Sequence, residues 1–247
     1  MATLLKKNLE TGVTETLAKI GAEMVVPANS NMIFVASAAT ECKIVLQRDS
    51  KLTFVLFAVE GWEETAKITF EFAGSGSELN CLGLIVGTAS MKFAFETISM
   101  HLVPETKASY RIRAAMFDRS LVDYKGNLVI TKPAQITDTY LSHDTLLLSD
   151  YARAKTVPAL EIEADDVKAG HAATIGKVDD ELMFYLLSRG ITPKEAEQML
   201  INSFFESQLA LIPDEEIREG LRSAIVKALP LPSFDNLEPE HVEPTVA

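Results

Sequence analysis

Residues 126–190 read GNLVITKPAQITDTYLSHDTLLLSDYARAKTVPALEIEADDVKAGHAATIGKVDDELMFYLLSRG. Within this stretch the residue pattern changes from that of strands to that of helices, and this change decides the fold. Up to about residue 168, short β-branched segments alternate with turn residues, which is typical of strands. From residue 179, Leu182, Tyr185 and Leu186 recur at helical spacing, and Gly190 is placed to end that helix. Because the strand-rich and helix-rich parts are segregated along the chain, a doubly wound α/β fold is disfavoured.

Similar strand segments extend back from this stretch to about residue 24, and together they predict an all-β body. The segments are residues 32–35, 43–46, 52–57, 67–72, 81–86, 93–98, 110–116 and 127–130. A sandwich or jelly roll would fit this pattern, and so would a β-helix built from stacked turns. Strict self-repeats are weak, so strand spacing alone leaves both architectures open.

Helix signals follow the strand-rich part. Thr192-Pro193-Lys194-Glu195 predicts a helix start with a capping box, in which Thr192 caps and Glu195 reaches back. The predicted apolar face of this second helix is Ala196, Met199, Leu200, Ser203 and Phe204. A third helix is predicted to open at Pro213-Asp214-Glu215-Glu216, where acidic residues suit a helix N-terminus.

These patterns predict four parts of the chain. Near-helical spacing of Leu4, Leu5, Leu9, Val13 and Leu17 predicts an N-terminal helix over residues 1–23. A β body over residues 24–175 and a helical domain over residues 176–229 follow. The Pro- and Glu-rich residues 230–247 are expected to form a flexible acidic tail.

Charge and cysteine content narrow the classes of function. A formal net charge of -12 disfavours nucleic acid and anionic membrane surfaces as partners. Two cysteines give no disulfide framework, and the absence of a signal or spanning segment predicts a cytoplasmic protein. No Gly-x-x-x-x-Gly-Lys-Ser/Thr loop occurs, so we expect no nucleotide to be bound by this chain.

Residues 126–190 resemble the core of the SufB/SufD family of iron–sulfur cluster assembly proteins. The resemblance rests on a long ordered run of segments, and Ala164-Asp165-Asp166-Val167-Lys168 is closer to the SufD branch. It implies a right-handed parallel β-helix followed by a small α-helical domain. It also implies that the N-terminal helical domain typical of SufD is reduced here to about one helix.

The resemblance further implies a role and partners. The chain would be a non-catalytic scaffold on which an iron–sulfur cluster forms transiently. It would bind a SufC-like ABC-type ATPase through its C-terminal helices. It would also dimerise through its β-helix with a SufB-like paralogue or a second copy of itself.

Two histidines are candidate metal ligands. The family match places His171 beside the dimer interface, where it would ligate iron or remain a hydrogen-bonded interface residue. His143, next to Asp144, would be a second ligand or part of a solvated turn. Ala169 stands where SufD proteins usually have cysteine, and Ala172 stands where the SufB branch has a carboxylate, so direct cluster ligation lacks its usual donors.

The turn into the second C-terminal helix is a candidate partner surface. Arg189, Ile191, Glu195 and Met199 surround this turn, and the resemblance favours contact with the ATPase over simple packing on the β-helix.

Two other functions remain open. Arg111 and Arg113 alternate on one strand face with Asp118 and Asp123 nearby in sequence, as a β-helix carbohydrate-active enzyme would require. The third hypothesis is a structural homodimer without cluster chemistry.

Cys42 and Cys81 lie in apolar runs and are expected to be core residues.

Overall fold

The computed structural model describes residues 4–9, 14–17, 23–37, 41–62 and 65–230. Its strands are β1 Leu4–Asn8, β2 Thr14–Leu17, β3 Glu23–Val26, β4 Asn31–Ala36, β5 Glu41–Leu46, β6 Lys51–Ala58, β7 Ala66–Phe72, β8 Glu78–Gly87, β9 Lys92–His101, β10 Lys107–Met116, β11 Leu121–Ile130, β12 Thr137–Leu147, β13 Arg153–Ile162 and β14 Val167–Gly176. The helices are α1 Asp180–Ser188, α2 Pro193–Leu209 and α3 Glu215–Ala228.

From β3 onward the strands alternate between two parallel sheets. Sheet A has the order β14-β12-β10-β8-β6-β4-β1-β2, and sheet B has the order β13-β11-β9-β7-β5-β3. Each turn of the chain therefore adds one strand to each sheet, which makes a solenoid of about five turns. The parallel β-helix prediction is confirmed, and the sandwich and jelly-roll alternatives are wrong.

The N-terminal helix prediction is also wrong. Leu4–Asn8 and Thr14–Leu17 are strands, and β1 pairs antiparallel with both β2 and β4. A short isolated helix is marginal in water, whereas the free edge of β4 offers unpaired backbone groups. The sheet edge therefore decides the structure of this segment. The predicted tail lies outside the described residues, apart from Pro230.

Strict alternation of side chains builds the core between the sheets. In β10, Ala108, Tyr110 and Ile112 are buried inside, while the residues between them face outward. Aromatic rings meet edge to face between the two sheets, with ring centroids 5.3 Å apart for Phe54 and Phe70 and 5.8 Å apart for Phe70 and Tyr110. Full burial of each such side chain contributes roughly 1.5–3 kcal/mol.

A repeated corner precedes the sheet A strands. Asn29, Asp49, Gly76, Glu105 and Ile136 have positive φ angles, and each is followed by serine or threonine. In four of the five corners the hydroxyl donates to the carbonyl three residues earlier, at 2.6–2.9 Å, namely in Ser30, Ser50, Ser77 and Thr137. This left-handed residue plus hydroxyl is the repeat that strand spacing did not reveal.

The C-terminal helices cover part of the outer face of sheet A. Ile201, Phe205 and Leu209 of α2 and Leu221 and Ile225 of α3 are buried there. They pack against outward-facing residues of the solenoid, namely Ile33, Val55, Leu82, Leu84, Val86 and Ala115. The predicted caps of α1 and α2 are confirmed: Gly190 has φ +85°, and Thr192 and Glu195 form the capping box. No helix among the described residues is long and apolar enough to cross a membrane.

Candidate functional site

Among the residues that the structure describes, nothing covers the last turn of the solenoid, which we call the open end. It consists of β13 and β14, the edge strands at the same end of sheets B and A. The side of this turn that continues the core includes Ile162, His171, Ala173 and Ile175, and all four are exposed. In the preceding turns the equivalent side is buried, so the open end presents core-type surface and unpaired strand edges to a partner.

His171 lies on this surface. It pairs in register with Leu141 of β12, which is fully buried, so its side chain shares the inner side of sheet A. His171 is exposed because no further turn of the solenoid covers it among the described residues. An exposed imidazole can donate, accept or ligate a metal ion.

His143 lies one strand inward and is fully buried, so the solvated-turn reading is wrong. Its Nδ1 is 2.5 Å from Thr156 Oγ1, and its Nε2 is 3.2 Å from Thr145 Oγ1. Burial lowers the pKa of His143 to about 4, which keeps the imidazole neutral. His143 pairs with Ala173, so the two histidines are diagonal neighbours on β12 and β14.

A single chain does not supply a complete metal site in its described residues. No group of three or more His, Cys, Asp or Glu side chains is gathered there. Cys42 and Cys81 are buried, as predicted, and burial raises the pKa of the Cys42 thiol to about 11 and that of Cys81 still further. Neither cysteine is the exposed thiolate that iron–sulfur clusters bind.

The second candidate surface is the exposed part of α1, which takes in more than one side of the helix and which we call the α1 face. It consists of Leu182, Phe184, Tyr185 and Leu187, all exposed, and α1 has no buried residue. Phe184 is 74% exposed. A cluster of large apolar side chains on one short helix marks an interaction surface. The sequence contained this signal, because apolar residues occupy six of the nine positions of DELMFYLLS, which is too many for one buried stripe.

The predicted partner residues follow the α1 face in the chain, and they differ in availability. The Arg189 guanidinium sits 5.1 Å from the Tyr185 ring centroid, and Met199 is exposed. Ile191 is half-buried. Glu195 is used locally, because its Oε2 accepts from the Thr192 backbone at 2.9 Å and from the Thr192 hydroxyl at 2.7 Å, which lowers the Glu195 pKa.

The residues of the carbohydrate-enzyme hypothesis are not brought together. Arg113 is covered by α2, where it donates to Phe204 O and Ser207 Oγ and lies 3.9 Å from Asp144. Asp118 accepts from the Ala89 backbone at 2.7 Å in a corner. Asp123 belongs to β11 of sheet B, 3.7 Å from Lys155. The four residues therefore form no common acid–base cluster.

Comparison with known proteins gives a consistent picture. Residues 2–204 match the family model described as SUF system FeS cluster assembly, SufBD core domain. An iron–sulfur cluster assembly SufBD family protein of Mycobacterium tuberculosis is 33% identical over 186 residues, covering 72% of this chain and 47% of that protein. The iron–sulfur cluster assembly protein SufD of Bacillus subtilis is 30% identical over 178 residues, covering 72% of this chain and 41% of the relative.

SufD of Escherichia coli is 37% identical over a shorter region of 113 residues, which covers 46% of this chain and 27% of that protein. The chain thus spans at most about half the length of these curated relatives.

Proposed function

The chain belongs to the SufBD core family of the SUF system for iron–sulfur cluster assembly, and on that premise we propose that it is a non-catalytic scaffold subunit worked by a SufC-like ABC-type ATPase. The observation that carries the proposal is that the chain presents two exposed surfaces, one on α1 and one at the open end of the solenoid. The α1 face would receive the ATPase, and the open end would receive a second β-helix subunit.

The α1 face fits a protein partner because its large apolar side chains are exposed. Phe184, Leu182 and Tyr185 lie within one turn of helix, and the Arg189 guanidinium lies over the Tyr185 ring. Aromatic, methionine and arginine side chains are enriched in the buried centres of interfaces. The helix could insert one of its apolar sides into a groove of the ATPase.

The open end fits a SufB-like paralogue or a second copy of the chain. Pairing there would bury Ile162 and Ile175, and it would satisfy the unpaired edges of β13 and β14. It would also place His171 at the contact, where donors from the partner could complete an iron site. The cluster is cargo in this proposal, and ATP-driven movement of the pair would open and close access to it.

We expect the complex to work in the cytoplasm, where thiols stay reduced, which agrees with the two free cysteines. In this setting the ATPase, rather than this chain, supplies the nucleotide chemistry.

Co-purification tests the ATPase partnership. The chain and a SufC-like ATPase should form a complex at micromolar concentration, equivalent to about -8 kcal/mol. Phe184→Asp should weaken binding at least about tenfold without loss of folding, because Phe184 makes its contribution only in the complex. Val25→Asp is the matched control, because Val25 is a 42% exposed apolar residue in β3 at the other end of the solenoid. No complex with the unaltered chain, or equal loss in both variants, would contradict the proposal.

The structural homodimer without cluster chemistry remains the second candidate, because Ala169 stands where a thiolate donor is usual. Anaerobic reconstitution with iron and sulfide distinguishes the two. We expect iron–sulfur absorption from the assembled complex and a reduced yield in His171→Ala. Absence of absorption from the complex, with the subunits still paired, would favour the structural homodimer.

A further inference from the structure

The outer face of sheet A carries a polar groove that neither candidate surface uses. We call it the sheet A groove, lined by Thr53, Asn80, Ser109, Arg111, Tyr140 and Leu211. It has a volume of about 500 Å³ and lies beside the area that α2 and α3 cover. Its size falls within the range of small-molecule sites.

An unneutralised guanidinium lies in this groove. Arg111 is half-buried, and its side chain has no hydrogen bond or ion pair with the residues that the structure describes. Arg113, two residues on and on the same face of β10, is held by Asp144 and α2. Burial lowers the pKa of Arg113, the charge of Asp144 raises it, and the nearby positive charge of Arg111 lowers it.

The other charged residues of the groove form a row at its rim. Lys51, Glu78, Lys107 and Asp138 occupy the same register position on successive strands, with alternating sign. Glu78 lies 3.2 Å from Lys51 and 3.8 Å from Lys107, so lysines and not Arg111 neutralise this acid. The half-buried positive charge of Arg111 thus contrasts with the net charge of -12 of the whole chain.

The floor of the groove also holds an unused acceptor. Asn80 Oδ1 is shielded from solvent and has no hydrogen-bond partner in the described structure. Asn80 pairs with Ser109 and Arg111 pairs with Leu82, so the acceptor and the guanidinium are diagonal neighbours on β8 and β10. A buried polar atom without a partner destabilises the fold, and a hydrogen-bond donor on a ligand would relieve this penalty.

From these features we propose that the sheet A groove binds a small molecule carrying an oxyanion next to an N–H or O–H donor. Arg111 holds the oxyanion in a charge-assisted hydrogen bond, because guanidinium geometry matches carboxylate and phosphate oxygens. Asn80 Oδ1 accepts from the donor once the side chain turns this shielded atom into the groove. The site lies on the outer face of the solenoid, so binding there is separate from subunit pairing at the open end.

Titration calorimetry on the full chain tests the site, with inorganic phosphate and L-serine as probes. We expect at least one probe to bind with a dissociation constant of roughly 1–10 mM, as suits ligands of so few atoms. Phosphate alone indicates a phosphorylated ligand, and serine indicates an amino or hydroxy acid. No binding of either probe at concentrations up to about ten times that range would overturn the proposal.

Two variants make the test specific. Arg111→Gln should weaken binding about tenfold or more, and Asn80→Leu should weaken serine more than phosphate. Arg119→Gln is the control, because Arg119 lies elsewhere, 5.0 Å from the Tyr151 ring centroid. Far-ultraviolet circular dichroism checks that each variant is folded. Unchanged affinity in folded Arg111→Gln would also overturn the assignment.

Discussion

At the scale of single residues, two histidines one strand apart have opposite surroundings. His143 is enclosed with both ring nitrogens bonded to threonines, while His171 faces the uncovered end of the solenoid. The family resemblance identified His171 as a candidate site residue, but no local sequence pattern indicated that the His143 side chain points into the core. Inward or outward direction follows from strand register, and a shift of one residue reverses it.

The burial of His143 predicts an acid-sensitive contribution to stability. The folded chain keeps this imidazole neutral down to pH about 4, whereas the unfolded chain takes up a proton near the ordinary value of 6.5. The free energy of unfolding should therefore fall as pH drops from about 7 to about 4, with His143 accounting for a loss on the order of 3 kcal/mol.

Urea unfolding of His143→Gln at a series of pH values measures this contribution. Glutamine cannot titrate, so the variant should show a shallower pH dependence than the unaltered chain. Thr139→Val is the control, because Thr139 is a buried neighbour in β12 without a titratable group. A His143→Gln variant with the same pH dependence as Thr139→Val would refute the prediction.

The backbone conformation of Ile136 predicts that a substitution at this position stabilises the fold. It has φ +61° in a corner where the equivalent residues include Asn29, Asp49 and Gly76, and it is 58% exposed. The left-handed conformation costs an L-residue about 1–2 kcal/mol, and β-branched residues tolerate it least. Ile136→Asn should raise the free energy of unfolding by about 1 kcal/mol.

Thermal or urea unfolding checks the effect of Ile136→Asn. Val157→Asn is the matched control, because Val157 is an exposed β-branched residue in the extended backbone of β13. It should give no gain. Equal effects of the two substitutions would show that backbone strain at Ile136 is not the cause.

At the scale of elements, the sequence predicted where helices start, but it did not predict which of their faces are packed. The capping box of α2 follows directly from Thr192-Pro193-Lys194-Glu195. The predicted apolar face of α2, however, included Met199, which is exposed, and missed Ile201, Phe205 and Leu209, which are buried. An amphipathic pattern offers overlapping stripes, and the shape of the sheet beneath selects one of them.

The contacts of Arg113 predict that this residue helps to hold α2 on sheet A. Its guanidinium donates to Phe204 O and Ser207 Oγ and lies 4.7 Å from the Phe204 ring centroid. Hydrogen bonds from a charged group are worth about 1.5–3 kcal/mol, so Arg113→Met should destabilise the chain by about 2 kcal/mol. Amide hydrogen exchange should localise the loss to α2.

Arg111→Met is the matched control on the same strand face, because the Arg111 side chain makes no such bonds. Its free energy of unfolding should change by less than about 0.5 kcal/mol. Equal destabilisation by the two substitutions would contradict the assigned role of Arg113.

At the scale of the whole molecule, the order of strands and then helices followed from the sequence, while the choice of a solenoid required the family resemblance. Turn lengths vary, since Asn31, Lys51, Glu78, Lys107 and Asp138 stack at unequal spacings along the chain. Unequal spacing hides a period from sequence comparison of the chain with itself. The stacked corners keep the register despite these differences.

Native mass spectrometry of the chain produced together with a SufB-like paralogue and a SufC-like ATPase tests the central proposal most directly. We predict an assembly containing two β-helix subunits and the ATPase. Ile175→Asp, at a 45% exposed residue of the open end, should release the second β-helix subunit and retain the ATPase, while Phe184→Asp should do the reverse. An unaltered chain found only at its monomer mass, bound to neither protein, would contradict the account.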